Sequence, residues 1–289
     1  MFRKILCPID FSAGSQHAMQ LAARMAGADA DLVLAHAWHL SPLAYSAELP
    51  PAALEGLVSD ADRGLATAFD ELRKLGARRV TTTLLRGVPW DQIVETARGD
   101  AAIDLIVMGT HGRTGLARVL LGSVTEKVVR HAPCSVLTAR PGREVTTFGR
   151  VLCPVDFSDE SRHALALAAE LAAPDGAGIT LLHVVELLLT YSRESPTLDM
   201  FEVNKGATHL LEEWAAELRA KVRVPVTTQI QIGSPGARVL AVLEDGPPFD
   251  LVVVGSRGRT GIRRALLGSV AEKIVRHAAC PVLVARDRQ

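Results

Sequence analysis

The chain has 289 residues, enough for one large or two ordinary domains, and 48% hydrophobic with 22% charged residues is the composition of a folded globular protein. Lysine plus arginine and aspartate plus glutamate both number 32, so there is no net basic field to hold nucleic acid or an anionic membrane surface, and neither is expected as a partner. The opening MFRKILCPID carries an apolar run too short for a secretory signal, and the apolar stretch Thr180 to Tyr191 is broken by His183 and Glu186, short of the roughly 20 residues a membrane helix needs, so a cytoplasmic protein is expected.

In chain order, Arg3 to Ile9 reads as a buried strand, and Ser15 to Met25 as a helix with Ala18, Leu21, Ala22 and Met25 on one stripe. Leu32 to Ala37 is the next strand. Ser41 to Pro51, polar and broken by proline, predicts a loop. A helix follows from about Ala53 to Leu75, with Leu54, Leu57, Ala61, Leu65, Ala68 and Leu72 on its apolar face and Gly76 at its end. Val80 to Leu85 alternates as a strand, Trp90 to Ala97 is a short helix, Leu105 to Met108 a buried strand, Ser123 to His131 a helix and Ser135 to Ala139 the last strand.

The same order then returns: Arg150 to Val155, Ser161 to Leu171, Ile179 to Val185, Met200 to Arg219, Val224 to Gln231, Ala237 to Leu243, Leu251 to Val254, Ser269 to His277 and Pro281 to Ala285. Asp10 and Asp156, Gly109 and Gly255, and Cys134 and Cys280 are each 146 residues apart. So long a period predicts duplicated domains, since solenoid repeats run to about 20–50 residues. The expected domains are residues 1–141 and 149–289, joined by a short Pro/Gly/Thr segment. Alternating strands and helices predict α/β domains, each a doubly wound parallel sheet with helices on both faces.

The four cysteines, Cys7, Cys134, Cys153 and Cys280, sit at matching places in the two copies. Without C-x-x-C spacing they read as free buried thiols. His131-x-x-Cys134 and His277-x-x-Cys280 offer one ligand pair per copy where a structural zinc wants four ligands, so no metal centre is expected.

The chemistry concentrates in a stretch that recurs with the repeat. Gly109, Gly112, Gly122 and Ser123 form G-x-x-G-x9-G-S, and Gly255, Gly258, Gly268 and Ser269 form it again. Each copy follows an apolar strand and leads into a helix. Glycines let a ligand approach the backbone, and a helix start offers unpaired N–H groups and the positive end of its dipole, which suit phosphate. Ser123 with Glu126, and Ser269 with Glu272, also fit the capping box S-x-x-E, a purely structural role. Asp10 and Asp156, each following a strand and preceding a serine by two, read either as turn acceptors or as acceptors for a hydroxyl or amine of a ligand at the glycine loop. Arg113 and Arg259, followed by Thr114 and Thr260, are solvated loop charges or phosphate ligands. His111 has Arg257 as its counterpart, so a catalytic role shared by both copies is hard to sustain there.

This frame resembles the ATP-binding branch of the universal stress protein family, and Ile5-Leu-Cys-Pro-Ile-Asp-Phe-Ser12 and Val151-Leu-Cys-Pro-Val-Asp-Phe-Ser158 are similar to that family's first strand and aspartate loop. The resemblance covers both halves nearly end to end. It implies an adenine nucleotide alpha hydrolase-like fold with five strands per domain in the order 3-2-1-4-5. It also implies that the glycine frame wraps phosphates and ribose, with Val124 and Val270 in the same turn as the serines, and that the aspartate contacts the nucleoside. The backbone at Pro8, Ile9, Ala37, Pro154, Val155 and Val184 would border the base, with Met108 and Val254 against it. The implied ligand is ATP, or ADP or AMP, with Mg2+ a possible companion.

No G-x-x-x-x-G-K-[ST], no G-x-G-x-x-G after the first strand and no G-x-S-x-G is present. No catalytic residue is therefore assigned. Two functions remain open: a nucleotide-binding regulator of the stress response, and a slow ATPase or phosphotransferase on the same loop. In the implied strand order the last strands, Ser135 to Ala139 and Pro281 to Ala285, are sheet edges, which invite pairing. The family often dimerises there, so an internal pseudo-dimer of the two domains is expected, with a homodimer of the whole chain also implied.

Overall fold

A computed structural model describes residues 2–39, 51–110, 121–140, 147–186, 200–258 and 267–287, with the backbone alone described at 51–54 and 200–203. The chain divides into two compact units, one built on Phe2–Thr146 and the other on Thr147–Ala285. The first contains β1 (Lys4–Ile9), α1 (Ala13–Ala26), β2 (Asp31–Trp38), α2 (Pro51–Lys74), β3 (Arg79–Arg86), α3 (Pro89–Gly99), β4 (Ile103–Gly109), α4 (Ser123–His131) and β5 (Ser135–Ala139). The second contains β6 (Arg150–Pro154), α5 (Asp159–Ala172), β7 (Gly178–Val185), α6 (Met200–Arg219), β8 (Val226–Ile232), α7 (Pro235–Asp245), β9 (Leu251–Gly255), α8 (Ser269–His277) and β10 (Val282–Ala285). The loop expected between β2 and α2 lies almost wholly outside the described residues.

Strand order is β3-β2-β1-β4-β5 in the first unit and β8-β7-β6-β9-β10 in the second, and these neighbours pair in parallel. This is the expected α/β class and the expected 3-2-1-4-5 order. Most strand limits shift by one or two residues from the sequence reading, and two of the shifts follow a proline. β8 starts at Val226 and β10 at Val282, one residue after Pro225 and Pro281, because proline brings no N–H to a ladder. β6 ends at Pro154, although Val155 still donates its N–H to the Leu182 carbonyl at 2.8 Å.

The central strands are apolar because they are covered on both faces. Ile5, Leu6 and Cys7 of β1 and Leu105, Ile106 and Val107 of β4 are fully buried. Helices α1 and α5 press alanines against the sheet, Ala18 and Ala22 in one and Ala164 and Ala168 in the other, all at 0% exposure. Small side chains there let each helix lie close to the strand ends. At the amino-terminal ends of the central strands, Asp104 accepts from the Arg3 N–H at 3.0 Å, and Asp250 accepts from the Gly149 and Arg150 N–H groups at 2.7 and 2.9 Å. These carboxylates tie the start of one central strand to the other. They thereby help set the offset between the strand ends from which the loops with Asp10 and Gly109, and with Asp156 and Gly255, depart.

All four thiols are buried and unbridged, and burial pushes Cys7 and Cys153 up to about 12. A thiolate is the reactive form. In native protein at pH 8 an alkylating reagent is therefore expected to leave Cys7 and Cys153 unmodified, and in denaturant to modify both. Rapid native modification, read by mass spectrometry, would contradict this packing. Among the described residues no helix is long and apolar enough to cross a membrane.

Candidate functional site

Each unit brings a carboxylate turn and a glycine turn to the carboxyl ends of its central strands, the place where the strand order reverses. In the carboxylate turn, Phe11 and Phe157 adopt φ of +62° and +65°. For a bulky residue this left-handed conformation costs about 1–2 kcal/mol, so neighbouring contacts must hold it. Ser12 and Ser158 cap the following helices, their hydroxyls accepting from the N–H groups of Ser15 and Ser161. Asp10 Oδ1 accepts from the Ser12 N–H at 3.1 Å and from the Ser12 hydroxyl, and Asp156 Oδ1 repeats this with Ser158. The turn-acceptor reading of both aspartates is thus correct for one oxygen. In the second unit the other oxygen looks elsewhere: Asp156 Oδ2 lies 2.7 Å from where a Cβ on Gly258 would stand, so this carboxylate abuts the glycine turn.

The glycine turn starts where β4 and β9 end. A Cβ on Gly109 would come within 2.7 Å of the Gly14 carbonyl oxygen, so this glycine lets the strand tip meet the first turn of α1. Across the turn, Gly122 donates to the Thr110 carbonyl at 2.8 Å and Gly268 to the Ser256 carbonyl at 2.9 Å. These bonds draw the first and last glycines of each motif together. Gly122 and Gly268 are then the N-caps of α4 and α8, with no side-chain cap bond.

The capping-box reading of the serines is therefore corrected. Ser123 and Ser269 are the first helical residues, one position too late to cap, and both are exposed. Glu126 and Glu272 instead pair along the helix with Arg130 and Arg276 at 3.5 and 3.4 Å. A glycine cap brings no side-chain acceptor, and the N–H groups of Ser123, Val124, Ser269 and Val270 take none from the described residues.

The remaining predicted residues fall around this crevice to different degrees. Pro8, Ile9, Pro154 and Val155 are buried at the ends of the first strands, and Ala37 and Val184 are half-buried near the ends of β2 and β7. Met108 and Val254 are each 5% exposed, so their side chains serve the core first and offer a ligand only an edge. Gly112, Arg113, Thr114, Arg259 and Thr260, with His111, lie outside the described residues. A separate open cleft of about 690 Å3, lined by Trp38, Glu55, Asp62, Arg63 and Arg86 among others, belongs to the first unit and contains none of the predicted binding residues.

Sequence reasoning missed two histidines. His36 and His183 are buried, and the Nδ1 of each lies 2.8 Å from the carbonyl of Ile9 or Val155, the residue before the aspartate. A carbonyl only accepts, so Nδ1 donates. The Phe11 ring lies 4.5 Å from the His36 ring, and the Phe157 ring 4.4 Å from the His183 ring. The available signal was a histidine at the same place near the end of two largely apolar strands, DLVLAHAW and GITLLHVV.

The profile of the Universal stress protein family matches residues 1–140 and, again, 147–286. The chain belongs to the universal stress protein family. A universal stress protein of Mycobacterium tuberculosis strain H37Rv is 32% identical over 238 residues, covering 80% of this chain and 76% of its own length. Another, from M. tuberculosis strain CDC 1551, is 30% identical over 289 residues and 93% of either chain, so the tandem arrangement recurs at full length. Among solved structures, a universal stress protein from Archaeoglobus fulgidus shares the fold at a TM-score of 0.73 and 22% identity, over 98% of both chains.

Proposed function

We propose that this universal stress protein is a cytoplasmic regulator that binds one adenine nucleotide, ATP or its ADP or AMP product, in each of two functional domains, residues 1–141 and 149–289. The observation that carries this reading is the Asp156 carboxylate abutting Gly258 across from a helix start whose first N–H groups meet no acceptor among the described residues. A carboxylate accepts from ribose hydroxyls or an exocyclic amine, and free amides with a helix dipole receive phosphate, so the two sides fit the two ends of a nucleotide.

In the first domain Asp10 would hold the nucleoside, Gly109, Gly112 and Gly122 would admit the phosphates, and Ser123 and Val124 would donate to them, with Arg113 adding charge. In the second domain the corresponding groups are Asp156, Gly255, Gly258, Gly268, Ser269, Val270 and Arg259. The backbone at Pro8, Ile9, Ala37, Pro154, Val155 and Val184 would border the base, with the edges of Met108 and Val254. Mg2+ would travel with the phosphates and lower their charge at the helix start. As edge strands, the last strands of the two domains would pair with each other within the chain, and the whole chain would form a homodimer. Cysteines engineered into the two last strands, in a chain lacking the native four, should then bridge efficiently within one polypeptide.

Identifying the nucleotide released from freshly purified protein tests the proposal. An adenine nucleotide is expected, and a different ligand class would overturn it. In single-turnover assays ATP should dissociate intact; phosphate released faster than nucleotide exchange would make the protein a hydrolase. The second site also has its own reporter, because the Trp214 ring packs edge-on to Phe157 at 5.4 Å and 83°. In a Trp38→Phe, Trp90→Phe chain, ATP is expected to change Trp214 emission, and Gly268→Glu should abolish the change. Emission unaffected by saturating ATP would contradict occupancy of the second site.

A further inference from the structure

The two buried histidines have no place in the nucleotide reading, yet each touches the backbone immediately before the proposed nucleoside-binding carboxylate. We infer that His36 with Phe11, and His183 with Phe157, are positioning pairs that lock the aspartate turn into its left-handed form and so aim the carboxylate at the glycine turn. This inference rests on the nucleotide reading, and its test separates the two.

β1 ends at Ile9, and β6 at Pro154 with Val155 next, so the carbonyls of Ile9 and Val155 are where regular pairing runs out. Imidazole Nδ1 takes each of these carbonyls at 2.8 Å, which fixes the peptide plane leading into the aspartate. One residue beyond the aspartate, φ must be +62° or +65° for the serine to turn back, accept the helix N–H and donate to Oδ1. Phenylalanine adopts that φ only under constraint. The constraint is its ring, held on one side by the imidazole, with interplanar angles of 34° and 35°.

Beyond the imidazole, each ring meets a different second neighbour. In the first unit it lies against α2, where a Cβ on Gly64 would come within 2.7 Å of the Phe11 ring, and in the second it lies against Trp214. Two unlike backings thus hold the same strained turn in the same place. Repetition of the histidine, the ring and the angle across both units, with different surroundings, marks the turn geometry as what is maintained. Neither histidine is assigned contact with the nucleotide; each acts through the turn.

The test uses the full chain with one site disabled at a time, Gly122→Glu to leave the second site and Gly268→Glu to leave the first, and measures ATP affinity by calorimetry. In the Gly122→Glu background, His183→Leu is expected to weaken ATP by about tenfold, the scale set by releasing a strained conformer. Adding Phe157→Gly, which takes positive φ without cost but packs less, should then recover affinity by about threefold or more while lowering the melting temperature further. A purely structural histidine predicts the opposite, affinity following stability downward.

In the Gly268→Glu background, Gly64→Ala should displace the Phe11 ring and weaken ATP at the first site by about fivefold, although alanine favours the helix. This second variant keeps the test decisive if His183→Leu does not fold. If the two reference chains bind no ATP, the nucleotide reading itself is wrong. If they bind and Gly64→Ala and His183→Leu bind equally well, or Phe157→Gly brings no recovery, the positioning pairs are refuted.

Discussion

A chain carrying both Gly122→Glu and Gly268→Glu is expected to keep its fold and lose ATP binding by a hundredfold or more, about 3 kcal/mol at each site. Both glycines sit at N-caps with φ of −61° and −62°, extended backbone open to any residue, and a Cβ at Gly268 meets nothing nearer than 3.5 Å. The substitution is therefore cheap for the protein. For the ligand it places a carboxylate at the helix start where phosphate is proposed to lie. Two unit charges about 4 Å apart repel by about 4 kcal/mol in a partly screened environment, enough to overcome the favourable amides. Each single variant should retain one site. Circular dichroism would report the fold and calorimetry the binding; unaltered ATP affinity in a folded double variant would show the pocket to be misassigned.

The first glycine of the motif should behave in the reverse way. Gly109→Ala is expected to destabilise the first unit by about 1–3 kcal/mol, because its Cβ would stand 2.7 Å from the Gly14 carbonyl oxygen and 2.8 Å from its carbon, both backbone atoms that cannot swing aside. Gly255→Ala should cost less, since the nearest atoms, in Glu160, are 3.0 Å away. Denaturant unfolding of the two variants gives the comparison. Equal stability of Gly109→Ala and wild type would mean that the approach of β4 to α1 is looser than described. The glycines of one motif thus divide the labour: the first lets strand and helix meet, and the last caps a helix without occupying the space in front of it.

How much of this was legible in the sequence follows from which forces are local. Helices α4, α6 and α8 and strand β5 were read to their final residues, because an apolar stripe or run bounded by a turn is a one-dimensional signal. The crevice was legible because the repeat displayed the glycines and aspartates twice. The cap of α4 was not, since S-x-x-E specifies chemistry but not the φ and ψ that decide whether Gly122 or Ser123 stands at the cap. Nor was the His36 bond to Ile9, which joins residues 27 apart in sequence and exists only once β1 and β2 lie side by side. The left-handed Phe11 and Phe157 were hidden for the same reason. Their conformation is held by partners from distant elements, against the preference of phenylalanine itself.

The central claim, one nucleotide site per repeat, is tested most directly by the stoichiometry of ATP titrated calorimetrically into nucleotide-free full-length chain. Two matched repeats predict two equivalents per chain, falling to one in Gly122→Glu or Gly268→Glu. A chain that is folded and free of nucleotide yet takes up no ATP would contradict the account.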